Sequence, residues 1–192
     1  MKAEPTQPAT GIFSEARQKP SSNHDARPLE CPISLLVIHN ISLPPGEYGG
    51  PWIDDLFLNR LDPHAHPFFS EIQGLHVSSH LLIRRDGRLT QYVPFDKRAW
   101  HAGESAFEGV RNCNDFSIGI ELEGTDTDPY TQIQYAVLAE VTHKLIQRYP
   151  AITPERITGH SNIAPGRKSD PGPAFDWQYF HLLLGARLET IS

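Results

Sequence analysis

His39 closes the apolar run Ser34-Leu35-Leu36-Val37-Ile38, and His160 closes the short stretch Ile157-Thr158-Gly159. Ligand sites in open α/β sheets gather at the carboxyl ends of strands, and neutral imidazole is a common metal ligand. Spacing alone does not pair these two residues, because no His-Glu-x-x-His signature is present. A satisfied structural histidine at a strand end is an equally simple account of each. Lys168-Ser169-Asp170 runs into Pro171. A residue before proline is biased to extended backbone, and positions two apart on an extended stretch face one side. Lys168 and Asp170 are therefore expected to address one site, a cation beside a hard oxygen ligand, with a surface ion pair as the competing account. The segment Phe116 to Glu123 alternates: Ile118, Ile120 and Leu122 face one way, and Ser117, Gly119, Glu121 and Glu123 the other. Either glutamate then has an open approach from a cleft, and alternation does not choose between them.

Most of the other histidines, of ten in all, need no special role. His24, His143 and His181 are expected to face solvent, His76 and His80 to be structural, and His64 and His66 to belong to a loop.

The elements that must carry these side chains are legible in outline. Residues 34–38 have the length and β-branched content of a strand covered on both faces. The connection from Ile41 to Leu75 is long, with Pro44-Pro45-Gly46 and Gly49-Gly50-Pro51 and a short helix around Trp52 to Leu61. A connection of that length is expected to be a lid or binding loop, unless Trp52, Phe57, Phe68 and Phe69 pack it into a rigid wall. Residues 77–93 read as a hairpin turning at Asp86-Gly87. Thr131 and Gln134 have capping-box spacing at the head of a helix over 132–148, whose Val137, Leu138, Val141 and Leu145 share one face. A last helix is expected over 175–185. The mixed order of strands and helices implies one α/β (α+β) domain with a central sheet.

Composition excludes several partners. The 192 residues are 39% hydrophobic and 21% charged, which suits one folded domain rather than a disordered chain. A net charge of −6 argues against nucleic acid, which needs a basic surface. No apolar run approaches the roughly 20 residues of a membrane span. Residues 1–30 are polar and rich in Pro and Ala; they are expected to form a poorly ordered arm ahead of a domain over 31–192. They lack the apolar core of a signal peptide, which with two widely separated cysteines, Cys31 and Cys113, implies a cytoplasmic protein with free thiols. Nothing in the sequence calls for more than a monomer.

Five blocks carry a family resemblance: LLVIHNISLPPGEYGGPWIDDLF, HPFF, QYVPFDKRAWHAG, CNDFSIGIELEGTD and TGHSNIAPGRKSDPGPAFDW. Together they span Leu35 to Trp177, and they closely resemble the cytosolic 1,6-anhydro-N-acetylmuramyl-L-alanine amidases. These belong to the type 2 N-acetylmuramoyl-L-alanine amidases, related to phage amidase lysozymes and peptidoglycan recognition proteins. The resemblance implies a central mixed β-sheet flanked by helices, with zinc in a surface groove. It places the zinc ligands on His39, His160 and Asp170, the acid/base on Glu121 rather than Glu123, and a transition-state lysine on Lys168. It offers Asn40 and Trp100 as contacts for a small muropeptide substrate. Two histidines and a carboxylate leave zinc a fourth position for water, as in hydrolytic sites. A non-catalytic binding module of this fold lacks a zinc ligand, and a glycosidase would need a second carboxylate beside Glu121; the ligand set favours neither.

Overall fold

The computed structural model describes residues 11–189. In chain order its strands are β1 (Arg17–Gln18), β2 (His24–Ala26), β3 (Leu35–Ile41), β4 (Leu81–Ile83), β5 (Leu89–Gln91), β6 (Lys97–Ala99), β7 (Ala106–Phe107), β8 (Val110–Arg111), β9 (Ser117–Glu123) and β10 (Ile157–Gly159). The helices are α1 (Trp52–Phe57), α2 (Pro67–Glu71), α3 (Gln132–Arg148), α4 (His160–Ile163) and α5 (Trp177–Glu189).

Six strands form one mixed sheet in the order β1-β5-β4-β9-β3-β10. The four strands β4, β9, β3 and β10 run parallel, and β5 folds back antiparallel on β4. Parallel strands covered on both faces are nearly continuous apolar runs, and every residue of β9 is buried. Leu36 and Ile38 of β3 and Ile118, Ile120 and Leu122 of β9 face the layer of α3 and α5, where they meet Leu138, Val141, Leu145, Phe180 and Leu184. Truncating one of these fully buried aliphatics to alanine costs about 2–5 kcal/mol. The opposite face carries Leu35 and Val37, packed with Ala102, Phe116 and Ile163. It is also the face of His39 and Glu121.

The helix signals resolve as their chemistry dictates. Thr131 Oγ1 accepts the Gln134 N–H at 3.3 Å, and Gln134 Oε1 accepts the Thr131 N–H at 3.0 Å, which completes the capping box of α3. Gln134 Nε2 also donates to the Glu123 carbonyl at 2.9 Å, tying the helix start to the end of β9. The hairpin turns at Asp86-Gly87, with Gly87 at φ 82°, a left-handed conformation glycine adopts without strain. The last helix starts at Trp177 and reaches Glu189, while Phe175 ahead of it is buried in the core.

One expectation is corrected. Residues 11–30 do not form a loose arm. Phe13 is buried edge-on to Phe95 with ring centroids 6.1 Å apart, and its N–H donates to Gln91 Oε1 at 2.8 Å. β1 pairs with β5, and β2 pairs with β6. Arg27 donates to the carbonyls of Asn114, Asp115 and Ser117. The polar composition hid this because strands of two or three residues at a sheet edge bury few side chains. Residues 1–10, the remainder of the expected arm, lie outside the described residues.

The long connection after β3 is a packed wall. Ile53, Leu56 and Phe57 of α1 and Phe69 of α2 join Leu43, Leu82, Tyr92 and Val93 in a second core, with Trp52 and Phe68 against it. The four aromatics thus pack the segment against the sheet, as the wall reading requires.

Candidate active site

Register brings the site together. In the parallel pair β3·β9, His39 lies opposite Glu121; in β3·β10, Gly159 lies opposite Ile38, which sets His160 beside His39. Neighbouring strands are about 4.8 Å apart, so His160, His39 and Glu121 form a row across the carboxyl ends of three parallel strands. The loop after α4 returns to the row: the Ser161 N–H donates to the Asp170 carbonyl at 2.9 Å, and Asn40 Nδ2 donates to the Pro171 carbonyl at 3.1 Å and to Asp126 Oδ1 at 2.8 Å. Gly159 is required for this approach, because a Cβ there would lie 2.7 Å from Pro171 Cδ.

Three atoms converge. His39 Nδ1, His160 Nδ1 and Asp170 Oδ2 lie 3.0 Å from one another. Both imidazoles are almost fully buried. His160 Nε2 faces the Ala102 carbonyl at 3.0 Å. A carbonyl only accepts, so the proton of a neutral His160 sits on Nε2 and its Nδ1 presents a lone pair inward. Burial drives the His39 pKa down to about 4 against the opposing pull of Asp170, so His39 is neutral near pH 7. Burial works to raise the Asp170 pKa, but the close approach of the His160 and His39 rings holds it well below the usual carboxylate range. Neutral imidazole nitrogens and an ionised carboxylate oxygen are the donor set of a catalytic zinc site. Three such atoms with lone pairs turned inward repel unless a cation or a bridging proton lies between them. The group fits a metal ion on these grounds, and it is the His/His/Asp cluster able to hold one among the described residues.

Glu121 and Glu123 part company here. Glu123 is fully answered: its Oε1 accepts from Gly49 N–H and Arg84 Nη1 at 2.8 Å each, and its Oε2 accepts from Arg85 N–H at 3.1 Å. Glu121 Oε2 is buried with no hydrogen-bond partner. Burial, reinforced by the Asp170 charge and opposed by Lys168, pushes the Glu121 pKa well above the ordinary carboxyl value. The structural glutamate is therefore Glu123. Glu123→Ala is expected to destabilise the fold by about 1–3 kcal/mol, because the buried Arg85 N–H, Gly49 N–H and one Arg84 contact lose their acceptor while Arg84 keeps Asp54 at 3.2 Å, a loss read in denaturant melts, while leaving turnover of the folded fraction far less affected than a change at Glu121.

The raised Glu121 pKa carries a sign. A carboxyl with a folded pKa above its unfolded value of about 4.3 binds its proton more tightly when folded, so stability falls as pH rises through that window. Glu121→Gln has no such loss. The metal-free variant is expected to be more stable than the metal-free wild type at pH 7 and to match it below pH ~4. Thermal melts at the two pH values check this.

A groove of about 600 Å³ opens over the cluster and is lined by Asn40, Trp100, His101, Glu121, Arg167, Lys168 and the three converging residues. Lys168 is exposed at its rim. All seven residues singled out in the sequence thus border one groove, and Phe57, Phe68 and Ile72 of the wall segment close one side. Sequence reasoning missed three participants. Arg167 Nη2 donates to the carbonyls of Ala102 and Glu104 at 2.5 and 2.6 Å. Asn114 Oδ1 accepts the N–H groups of His101 and Ala102 at 3.2 and 2.8 Å, which aims the Ala102 carbonyl at His160. His101 Nδ1 lies 2.9 Å from His39 Nε2. The signal for His101 was Gly119, a glycine in the middle of an otherwise well-packed strand, which marks a close approach: a Cβ at Gly119 would lie 2.5 Å from His101 Nδ1. His80 is structural as expected, accepting the Gly119 N–H at Nδ1 and facing the Lys97 carbonyl with Nε2.

Comparison with known proteins gives the family. The N-acetylmuramoyl-L-alanine amidase family model matches residues 29–173. The 1,6-anhydro-N-acetylmuramyl-L-alanine amidase AmpD of Enterobacter cloacae is 64% identical over 174 residues, covering 91% of this chain and 92% of that protein. A crystal structure of a selenomethionine derivative of AmpD superposes with a TM-score of 0.88 at 63% identity, covering 91% of this chain and 97% of the other. The amidase AmiD of Escherichia coli, solved with anhydro-N-acetylmuramic acid-L-Ala-D-γ-Glu-L-Lys, gives a TM-score of 0.58 at 32% identity, over 82% of this chain and 60% of that one. Among the described residues no helix is long and apolar enough to cross a membrane. With the family model covering five of the six strands of the sheet, the groove and every residue of the converging cluster, the chain belongs to the N-acetylmuramoyl-L-alanine amidase family and is an amide hydrolase.

Proposed function

We propose that this amidase cleaves the bond between 1,6-anhydro-N-acetylmuramic acid and L-alanine in peptidoglycan fragments, with His39, His160 and Asp170 holding a zinc ion. The observation that carries the metal is the contact of two imidazole nitrogens and a carboxylate oxygen at 3.0 Å. The substrate class follows from the high identity to AmpD and from the ligand of AmiD. Zinc, when bound, supplies Lewis acidity that brings water deprotonation to about neutral pH. Glu121 takes the proton of the attacking water on its unpartnered oxygen and returns it to the departing alanine nitrogen. Attack falls on the lactyl carbonyl of the muramic acid, and Lys168 at the rim faces the charge that develops on the carbonyl oxygen. Asn40 and Trp100 border the groove where the sugar and the first peptide residue would lie. The protein works as a cytoplasmic monomer on a small, soluble muropeptide in cell-wall recycling.

Lys168→Ala is expected to lower kcat by about 10²–10³ with little change in KM, because the contact forms in the transition state. Its zinc content should stay that of the wild type; metal loss would mean that the 164–173 loop has been misread. Mass spectrometry of the products from a defined anhydro-muropeptide tests the activity itself. Free peptide plus the sugar acid is the expected result, and a cut glycosidic bond or intact substrate would refute it.

A further inference from the structure

The two histidines of the converging cluster are supported differently. His160 Nε2 meets a carbonyl, which fixes one tautomer. His39 Nε2 meets another imidazole, His101 Nδ1 at 2.9 Å, and His101 Nε2 in turn meets Ser117 Oγ at 3.1 Å.

Two neutral imidazoles and a hydroxyl in a row have two self-consistent settings. In the first, His39 Nε2–H donates to His101 Nδ1, and His101 Nε2–H donates to Ser117 Oγ. His39 Nδ1 then offers a lone pair, as a cation requires. In the second, Ser117 Oγ–H donates to His101 Nε2, and His101 Nδ1–H donates to His39 Nε2. His39 Nδ1–H then donates to Asp170 Oδ2 or His160 Nδ1, each 3.0 Å away. That setting places a donor among acceptors and satisfies the cluster without a cation. Each ring carries one proton and the serine its own in both settings, so the row changes tautomers without changing charge. Gly119 leaves the room for it, since a Cβ there would lie 2.5 Å from His101 Nδ1.

We infer that His101, backed by Ser117, is a positioning residue that sets the tautomer of His39 and thereby the metal affinity of the site. The inference rests on the metal reading above. Its test is zinc affinity of the full chain by chelator competition, for wild type, His101→Phe and His101→Gln, with the imidazole ¹⁵N shifts of His39 read with and without zinc. His101→Phe is expected to weaken zinc about 10- to 100-fold, the usual cost of losing a partner behind a ligand. His101→Gln is expected to recover part of that, because its amide oxygen accepts Nε2–H. In wild type the His39 proton should sit on Nδ1 without zinc and on Nε2 with it. A phenylalanine variant within twofold of wild type overturns the inference, as does a glutamine variant no better than phenylalanine. If His101→Phe does not fold, the wild-type shifts decide, and a His39 proton that stays in place overturns it. A wild type that binds no zinc would instead remove the metal reading itself.

Discussion

Glu121→Gln is expected to lower kcat by about 10²–10⁴, the usual worth of a positioned acid/base, while zinc stays bound and the metal-free fold grows more stable. The side chain donates no ligand atom to the converging cluster and leaves one buried oxygen unpartnered. The amide keeps the shape and removes the proton transfer. The same substitution also removes a carboxyl that burial penalises, so activity and stability should move in opposite directions in one variant, a recognised trade-off at active sites. Single-turnover kinetics with zinc content measured on the same sample separate the outcomes. Near-normal turnover would reassign the acid/base, and loss of zinc would make Glu121 part of the metal site.

Asp170→Ala is expected to be as damaging by another route. Asp170 is the anion of the cluster, and its Oδ2 touches both imidazoles. Removing it leaves two neutral nitrogens facing each other. Zinc affinity should fall by more than the ~10–100-fold that losing a partner behind a ligand costs. Turnover should vanish at stoichiometric zinc and return in part at high zinc. The Asp170 carbonyl, which accepts from Ser161 N–H, is untouched by the substitution, so the loop should persist. Equal zinc content in variant and wild type would contradict the ligand assignment.

The sequence disclosed the site unevenly, and the reasons are physical. Helix α3 was legible because its capping box and apolar stripe are local. The strand alternation of 117–123 was legible for the same reason. The pairing of His39 with His160 was not, because it depends on parallel register between β3 and β10, strands far apart in the chain. Nor could alternation separate Glu121 from Glu123, since both share a face. What separates them is Arg84 and the Gly49 N–H, which come from other elements to answer Glu123 alone; the family resemblance supplied that choice before the structure did. The Lys168 to Asp170 argument needed only the bias imposed by Pro171, and both side chains do border the groove. Residues 11–30 were misjudged because edge pairing is made by backbone, and composition records side chains. His101 drew no reading from its own segment because its meaning lies in Gly119, on another strand.

The account stands most directly on a metal titration. The protein is stripped with a chelator, and zinc is returned stepwise while hydrolysis of an anhydro-muropeptide is followed. Activity should be absent in the stripped protein, rise linearly and break at one zinc per chain for wild type, with no such break for Asp170→Ala. Full activity in verified metal-free protein, or a break unchanged by loss of Asp170, would contradict it.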